Sequence, residues 1–188
     1  MTAITGHERV EGAMFGAVGL HWLSGLLQLA QGDAADAERH FERELAFEGS
    51  GHLYARECCS ATWYAKGAQA WHRGDRSTAS RAFSEVLRRV PRHPLALAAL
   101  ADEVPDDQFE ARLQSADERG ANVDVAVARA VRQVAREQTP QPALLLPVLR
   151  QVPPGASGWY LPVEPMLRPL ADMSRWGAAL ALLRSRAG

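Results

Sequence analysis

The sequence predicts an all-α fold made of stacked helix pairs, and three observations carry that prediction. Gly25, Gly32, Asp33, Ala37 and Phe41 recur as Gly67, Gly74, Asp75, Ala79 and Phe83, each displaced by 42 positions. One fixed stride through small, turn-forming and aromatic positions is the mark of a stacked repeat. Between those turns the apolar residues fall at helical spacing, and proline and glycine cut the remaining chain into helix-length segments.

The same displacement relates Trp22 to Tyr64, Leu26 to Ala68, Leu29 to Trp71, Glu38 to Ser80 and Arg39 to Arg81. Each unit reads as two helices around one turn, over about residues 17–50 and 60–93. In the second unit Trp63, Lys66, Gly67 and Ala70 stand at i, i+3, i+4 and i+7, one face of a helix. Gly74-Asp75 ends that helix and starts the next, because glycine takes a left-handed C-terminal position and aspartate caps the following amides. Ala79, Phe83, Val86 and Leu87 form the stripe of the second helix, which stops before Pro91 and Pro94. Small residues at 67 and 79 let the two helices approach closely, and Phe83 fills the space beyond them.

This pattern resembles the tetratricopeptide repeat, in which W-x2-L-G-x2-Y is followed by A-x3-F and P over about 34 residues. Here it stands as Trp63-x2-Lys66-Gly67-x2-Ala70, then Gly74-Asp75, Ala79-x3-Phe83 and Pro91, with Lys66 at the aliphatic position and Ala70 at the tyrosine. The first unit keeps Gly25, Gly32-Asp33 and Ala37-x3-Phe41, without a closing proline. The longer stride is assigned to a connector at Glu48-Gly49-Ser50-Gly51 and to a first helix that begins near Leu53. The resemblance implies a bacterial, right-handed superhelical α-solenoid of antiparallel helix pairs. Its packing residues are then Gly25, Gly32, Ala37, Phe41, Trp63, Gly67, Gly74, Ala79, Phe83 and Pro91.

Past Pro94 the pattern weakens but stays helical. Helices are expected over 95–104 and 107–119, separated by Pro105, and the Val123, Val127, Ala130, Val131 and Val134 stripe gives another. Pro142 to Gln151 reads as its partner, stopped by Pro153-Pro154-Gly155, so that the two make a degenerate third pair. The stretch from Gly158 to Pro165, with Leu167, Pro169-Leu170, Trp176 and Leu180 to Leu183, is similar to the terminal cap of some bacterial tetratricopeptide proteins tied to signalling kinases or cyclases. A stack needs such an element to close its apolar end. The whole reads as a flexible tail over 1–8 and a single domain over 9–188.

Composition narrows the function classes. With 21 Lys+Arg against 22 Asp+Glu the formal charge is −1, which argues against a dedicated nucleic-acid binder. Lys66 is the only lysine, and the arginine and alanine excess reads as coding bias. Gly12 to Ala30 is mostly apolar, yet Glu8 and Glu11 precede it and His21, Ser24 and Gln28 interrupt it. It fits neither a signal peptide nor a membrane span, and a cytoplasmic protein is expected. The only cysteines, Cys58 and Cys59, are adjacent and read as small buried hydrophobes in a reducing compartment.

Catalysis has little support. His52, Cys58, Cys59 and His72 form the one cluster with metal or nucleophile chemistry, and it lacks CxxC or HxxxH spacing. No GxSxG elbow, phosphate loop or dinucleotide fingerprint occurs. No cofactor and no enzymatic activity are expected, with a metal protein or enzyme on that cluster as the alternative. The arginine-rich run Arg73, Arg76, Arg81, Arg88, Arg89 and Arg92 reads as the solvated side of a helix. Its sharper reading is a docking patch for an acidic partner or nucleic acid.

By resemblance, the concave face lined by the first helix of each pair is where a protein or peptide partner sits. The candidate partner-binding residues are Trp22, Leu26, Leu29, Tyr64, Ala68, Trp71 and His72, an aromatic stripe suited to an apolar helix or extended peptide. The family's basic and asparagine clamp for a terminal carboxylate is missing, since Trp22, Leu26, Tyr64 and Ala68 occupy those places. The alternative is that these aromatics are buried, under the extra turns of the first helices or under the C-terminal helices. The expected function is an adaptor or scaffold, with self-association of the exposed repeat end, or a regulatory role in bacterial signalling, as further readings.

Overall fold

Two turns with one set of hydrogen bonds organise the first half of the chain. In a computed structural model that describes residues 18–117, 122–151 and 158–187, Asp33 N–H donates to the Gln28 carbonyl at 2.9 Å and Gly32 N–H to Leu29 at 3.1 Å. At the second turn Asp75 N–H donates to Ala70 at 3.0 Å and Gly74 N–H to Trp71 at 2.9 Å. This is the paired helix-ending motif that requires a left-handed residue, supplied by Gly32 at φ 89° and Gly74 at φ 80°. The following aspartate then opens the next helix: the Asp33 carboxylate accepts from Asp36 N–H at 2.9 Å and that of Asp75 from Thr78 N–H at 3.0 Å. Each such cap contributes about 1 kcal/mol.

The contacts divide the chain into two compact units, Met1–Val90 and Pro91–Gly188. The first holds α1 (Leu20–Ala30), α2 (Ala34–Leu45), α3 (Ala55–His72) and α4 (Arg76–Arg89). α1 packs on α2 and α3 on α4, while α3 also packs on α2 and α1, so the two hairpins are neighbours. At both hairpin crossings a glycine faces a phenylalanine ring: a Cβ on Gly25 would lie 2.3 Å from Phe41 Cε1, and one on Gly67 2.6 Å from Phe83 Cε1. Ala37 and Ala79 are buried in the matching places, as are Phe41 and Phe83. Between the hairpins the connector carries Gly49 and Gly51, both at positive φ. Its helix α3 begins at Ala55 rather than near Leu53, which stays exposed beside Tyr54.

The buried Glu44 of α2 fastens the start of α1 from a distance in sequence. Its two carboxylate oxygens accept from Gly19 N–H at 2.7 Å and Trp22 N–H at 3.0 Å, two of the amides a helix start leaves without intrahelical partners.

The second unit is built of α5 (Pro94–Ala99), α6 (Asp106–Asp117), α7 (Asn122–Ala135), α8 (Leu145–Gln151) and α9 (Met173–Ala187). Short 3-10 turns at Pro142–Leu144, Leu161–Val163 and Pro169–Ala171 join the later ones. α7 lies at the centre, against α5, α6 and α8, and α9 packs on α8. The helix expected over 95–104 ends at Ala99, because the chain turns at Leu100, whose carbonyl accepts from Glu103 and Val104 N–H. α7 and α8 do pack as a pair, and α7 ends with the same pair of bonds as the two turns above, Gln138 N–H to Gln133 and Glu137 N–H to Val134. There the left-handed place is taken by Glu137 at φ 58° instead of glycine. Trp176 of α9 is fully buried, with Leu161 and Met166 of the aromatic-proline stretch.

All regular structure among the described residues is helical, as the sequence predicts, and no helix among them is long and apolar enough to cross a membrane. The 1–8 tail and the Pro153-Pro154-Gly155 stop lie outside the described residues.

Candidate functional site

The candidate partner stripe is divided by the fold. Leu26, Tyr64 and Ala68 are core residues, 2%, 4% and 0% exposed, and the Tyr64 ring leans on Phe83 with centroids 5.7 Å apart. These three are therefore corrected from groove to core. Trp22, Leu29 and Trp71 are half-buried and His72 is exposed. Trp71 is covered on one face by the Arg76 guanidinium, 4.1 Å from the ring centroid, and meets His72 edge-on at 5.0 Å. Pro91, expected to pack, is exposed directly after the first unit.

The reason lies in α3 itself. Its buried residues include Cys59, Ser60, Thr62, Tyr64, Ala65, Gly67, Ala68 and Gln69, which run right round the helix because three other helices press on it. What stays open is the Trp63 face. A groove of about 1050 Å³ lies over it, between α2 and α4, within the first unit. Trp63, Lys66, Gln69 and Arg73 form its floor along α3, with Glu38 of α2 on one side and Arg81 and Glu85 of α4 on the other.

Charges in this groove are unevenly satisfied. Lys66 pairs with Glu38 across the α2–α3 contact. Glu85 is held by Arg89 at 2.6 Å and Arg88 at 3.0 Å, and their hydrogen bonds to its carboxylate hold its carboxyl below the usual range. Arg89 also grips Glu48 through two nitrogens, at 2.7 and 2.8 Å, while its guanidinium sits 5.5 Å from the Trp63 ring centroid. Arg73 and Arg81 make no ion pair among the described residues, and Arg81 donates to the Thr78 hydroxyl at 3.1 Å. The Asp75 carboxyl is held low, first by the Thr78 amide it accepts from and more weakly by Arg81 and Arg73 nearby. Trp63 Nε1–H is buried with no acceptor among the described residues.

Sequence reasoning missed this face, although Lys66 carried the signal. A charged residue on the same stripe as Trp63, Gly67 and Ala70 marks a side of the helix that apolar packing does not close. The arginine-rich run separates in the same way: Arg88 and Arg89 are engaged by Glu48 and Glu85, whereas Arg73 and Arg81 turn to the groove.

The cysteine–histidine cluster brings no site together. Cys59 Sγ–H donates to the Glu44 carbonyl at 3.6 Å, and His52 Nδ1 accepts from Tyr54 N–H at 3.3 Å. Burial, aided by nearby glutamates, pushes both thiols up to about 11, the opposite direction from an activated nucleophile. Among the described residues no group of three or more His, Cys, Asp and Glu is placed to hold a metal ion. No family model, curated protein or solved structure matches the chain.

Proposed function

We propose that the chain is a cytoplasmic protein-interaction module, an adaptor or scaffold without catalysis or cofactor, built on a tetratricopeptide-like right-handed stack of helix pairs. The observation that supports it most is the duplicated hairpin. The same turn bonds, the same aspartate caps and the same glycine–phenylalanine contact occur twice, on neighbouring hairpins. Repeated hairpins of this kind present long, fixed surfaces, and such surfaces serve binding. The partner is a protein or peptide, not a nucleic acid or membrane, in keeping with the −1 formal charge.

The test is affinity capture from the source cells, with the bound proteins read by quantitative mass spectrometry. A stoichiometric partner is expected. Trp22→Ala with Trp71→Ala probes the half-buried aromatic face, and Lys66→Glu with Arg81→Glu probes the groove, each with the helical circular dichroism unchanged. Loss of that partner with one pair assigns the surface. No specific partner, or capture indifferent to both pairs, overturns the reading.

A further inference from the structure

The groove over Trp63 has a length that a short extended segment spans. From Trp63 to Arg73 the floor spans ten helical residues, about 15 Å at 1.5 Å each. An extended segment of about four or five residues spans the same length at ~3.3 Å each.

Its chemistry selects the charge. Both carboxylates on the lining are already taken, Glu38 by Lys66 and Glu85 by Arg88 and Arg89. Two cations of the lining make no ion pair among the described residues: Arg73, which directly follows α3, and Arg81 of α4. Asp75 is near both, and its carboxylate accepts from Thr78 N–H while its charge acts more weakly on Arg81 and Arg73. Hydroxyls of Thr78, Ser80 and Ser84 also line the groove, and Trp63 gives an apolar wall whose indole N–H lacks an acceptor among the described residues. The two guanidinium groups are the strongest donors on this surface.

We infer that this groove holds an extended acidic peptide segment of a partner protein, its carboxylates on Arg73 and Arg81 and an apolar side chain on Trp63. The inference rests on the binding-module reading and names the partner's chemistry. Two partly exposed ion pairs make such binding weak and salt-dependent, in the micromolar range or above.

The probe is a short fluorescein-labelled peptide alternating glutamate with leucine, its ends capped, with anisotropy measured on the full chain at low salt. Saturable binding is expected, weakened at least about tenfold by Arg73→Glu with Arg81→Glu and by raising salt to about 0.5 M. The exposed Arg92→Glu, one charge reversal outside the groove, is the control for Arg73→Glu or Arg81→Glu alone and is expected to leave affinity within about twofold. Equal binding of the same peptide with glutamine in place of each glutamate, an equal loss with Arg92→Glu, or indifference to the double reversal overturns the inference. Displacement of the peptide by inorganic polyphosphate at equal charge concentration also overturns it, since the site then reads phosphate. A partner captured from cells that survives the double reversal removes this groove chemistry alone and leaves the binding-module reading in place.

Discussion

Gly67 stands so close to the Phe83 ring that the smallest side chain meets it: an added Cβ would lie 2.6 Å from Cε1 and 2.7 Å from Cδ1. The same relationship holds between Gly25 and Phe41. Alanine normally stabilises a helix by about 1 kcal/mol over glycine, so these positions offer a sign test. Gly67→Ala and Gly25→Ala are expected to lower stability by about 1–2 kcal/mol net, because moving a packed ring outweighs the propensity gain. Gly177 of α9 has open space around its Cβ position, and Gly177→Ala is expected to raise stability by about 0.5–1 kcal/mol. Urea midpoints of the three variants check both signs.

Glu44 leads to a second prediction. Its buried carboxylate is the acceptor for Gly19 and Trp22 N–H at the start of α1. Glu44→Ala leaves two amides without that acceptor and is expected to cost about 2–3 kcal/mol. Glu44→Gln, which keeps one acceptor oxygen, is expected to cost about half as much. Hydrogen exchange separates this from a general loss: the α1 amides are expected to lose protection before those of α4.

His93 sets a pH dependence. It opens α5 by accepting Ala96 N–H at Nδ1, at 3.3 Å, and burial brings its pKa down to about 4 from an ordinary 6.5. Between those values the unfolded chain carries a proton that the folded chain does not. Stability therefore falls as pH drops from about 7 towards 4, by about 2–3 kcal/mol at most. Asparagine keeps the cap and removes the titration. His93→Asn is expected to flatten the acid limb of a plot of urea midpoint against pH, and an unchanged slope refutes the assignment.

How much of this was legible in the sequence depends on the range of the interaction. The Gly32-Asp33 and Gly74-Asp75 turns close within six residues, so their whole chemistry lies in one short stretch of sequence. The glycine–phenylalanine contacts were legible too, because a repeat shows each of them twice. The open face of α3 was not. A helix pressed by three others has no single apolar stripe, and spacing alone cannot tell which gap stays unfilled. Tyr64 and Ala68 are at helical spacing with the half-buried Trp71, yet both are core. In the second unit the short helices depend on distant partners such as Arg132, which nothing local announces.

Arg132 is the last test. It is 6% exposed on α7 and reaches three separate acceptors. Its nitrogens donate to the Asp106 carboxylate at 2.7 and 3.0 Å, to the Leu97 carbonyl at 3.4 Å, and to the Val104 carbonyl, while the guanidinium lies 4.8 Å from the Phe109 centroid. The 101–105 bend between α5 and α6 is thereby tied to α7. Lysine keeps the charge but offers one compact ammonium that cannot span those acceptors. Arg132→Lys and Arg132→Met are each expected to cost about 2–4 kcal/mol, the second leaving buried carbonyls without donors. Arg136 shares the same Asp106 oxygen at 2.9 Å but is exposed, so Arg136→Met is expected to cost under about 1 kcal/mol. Equal effects at 132 and 136 in thermal or urea unfolding mean that the pair acts only as surface charge.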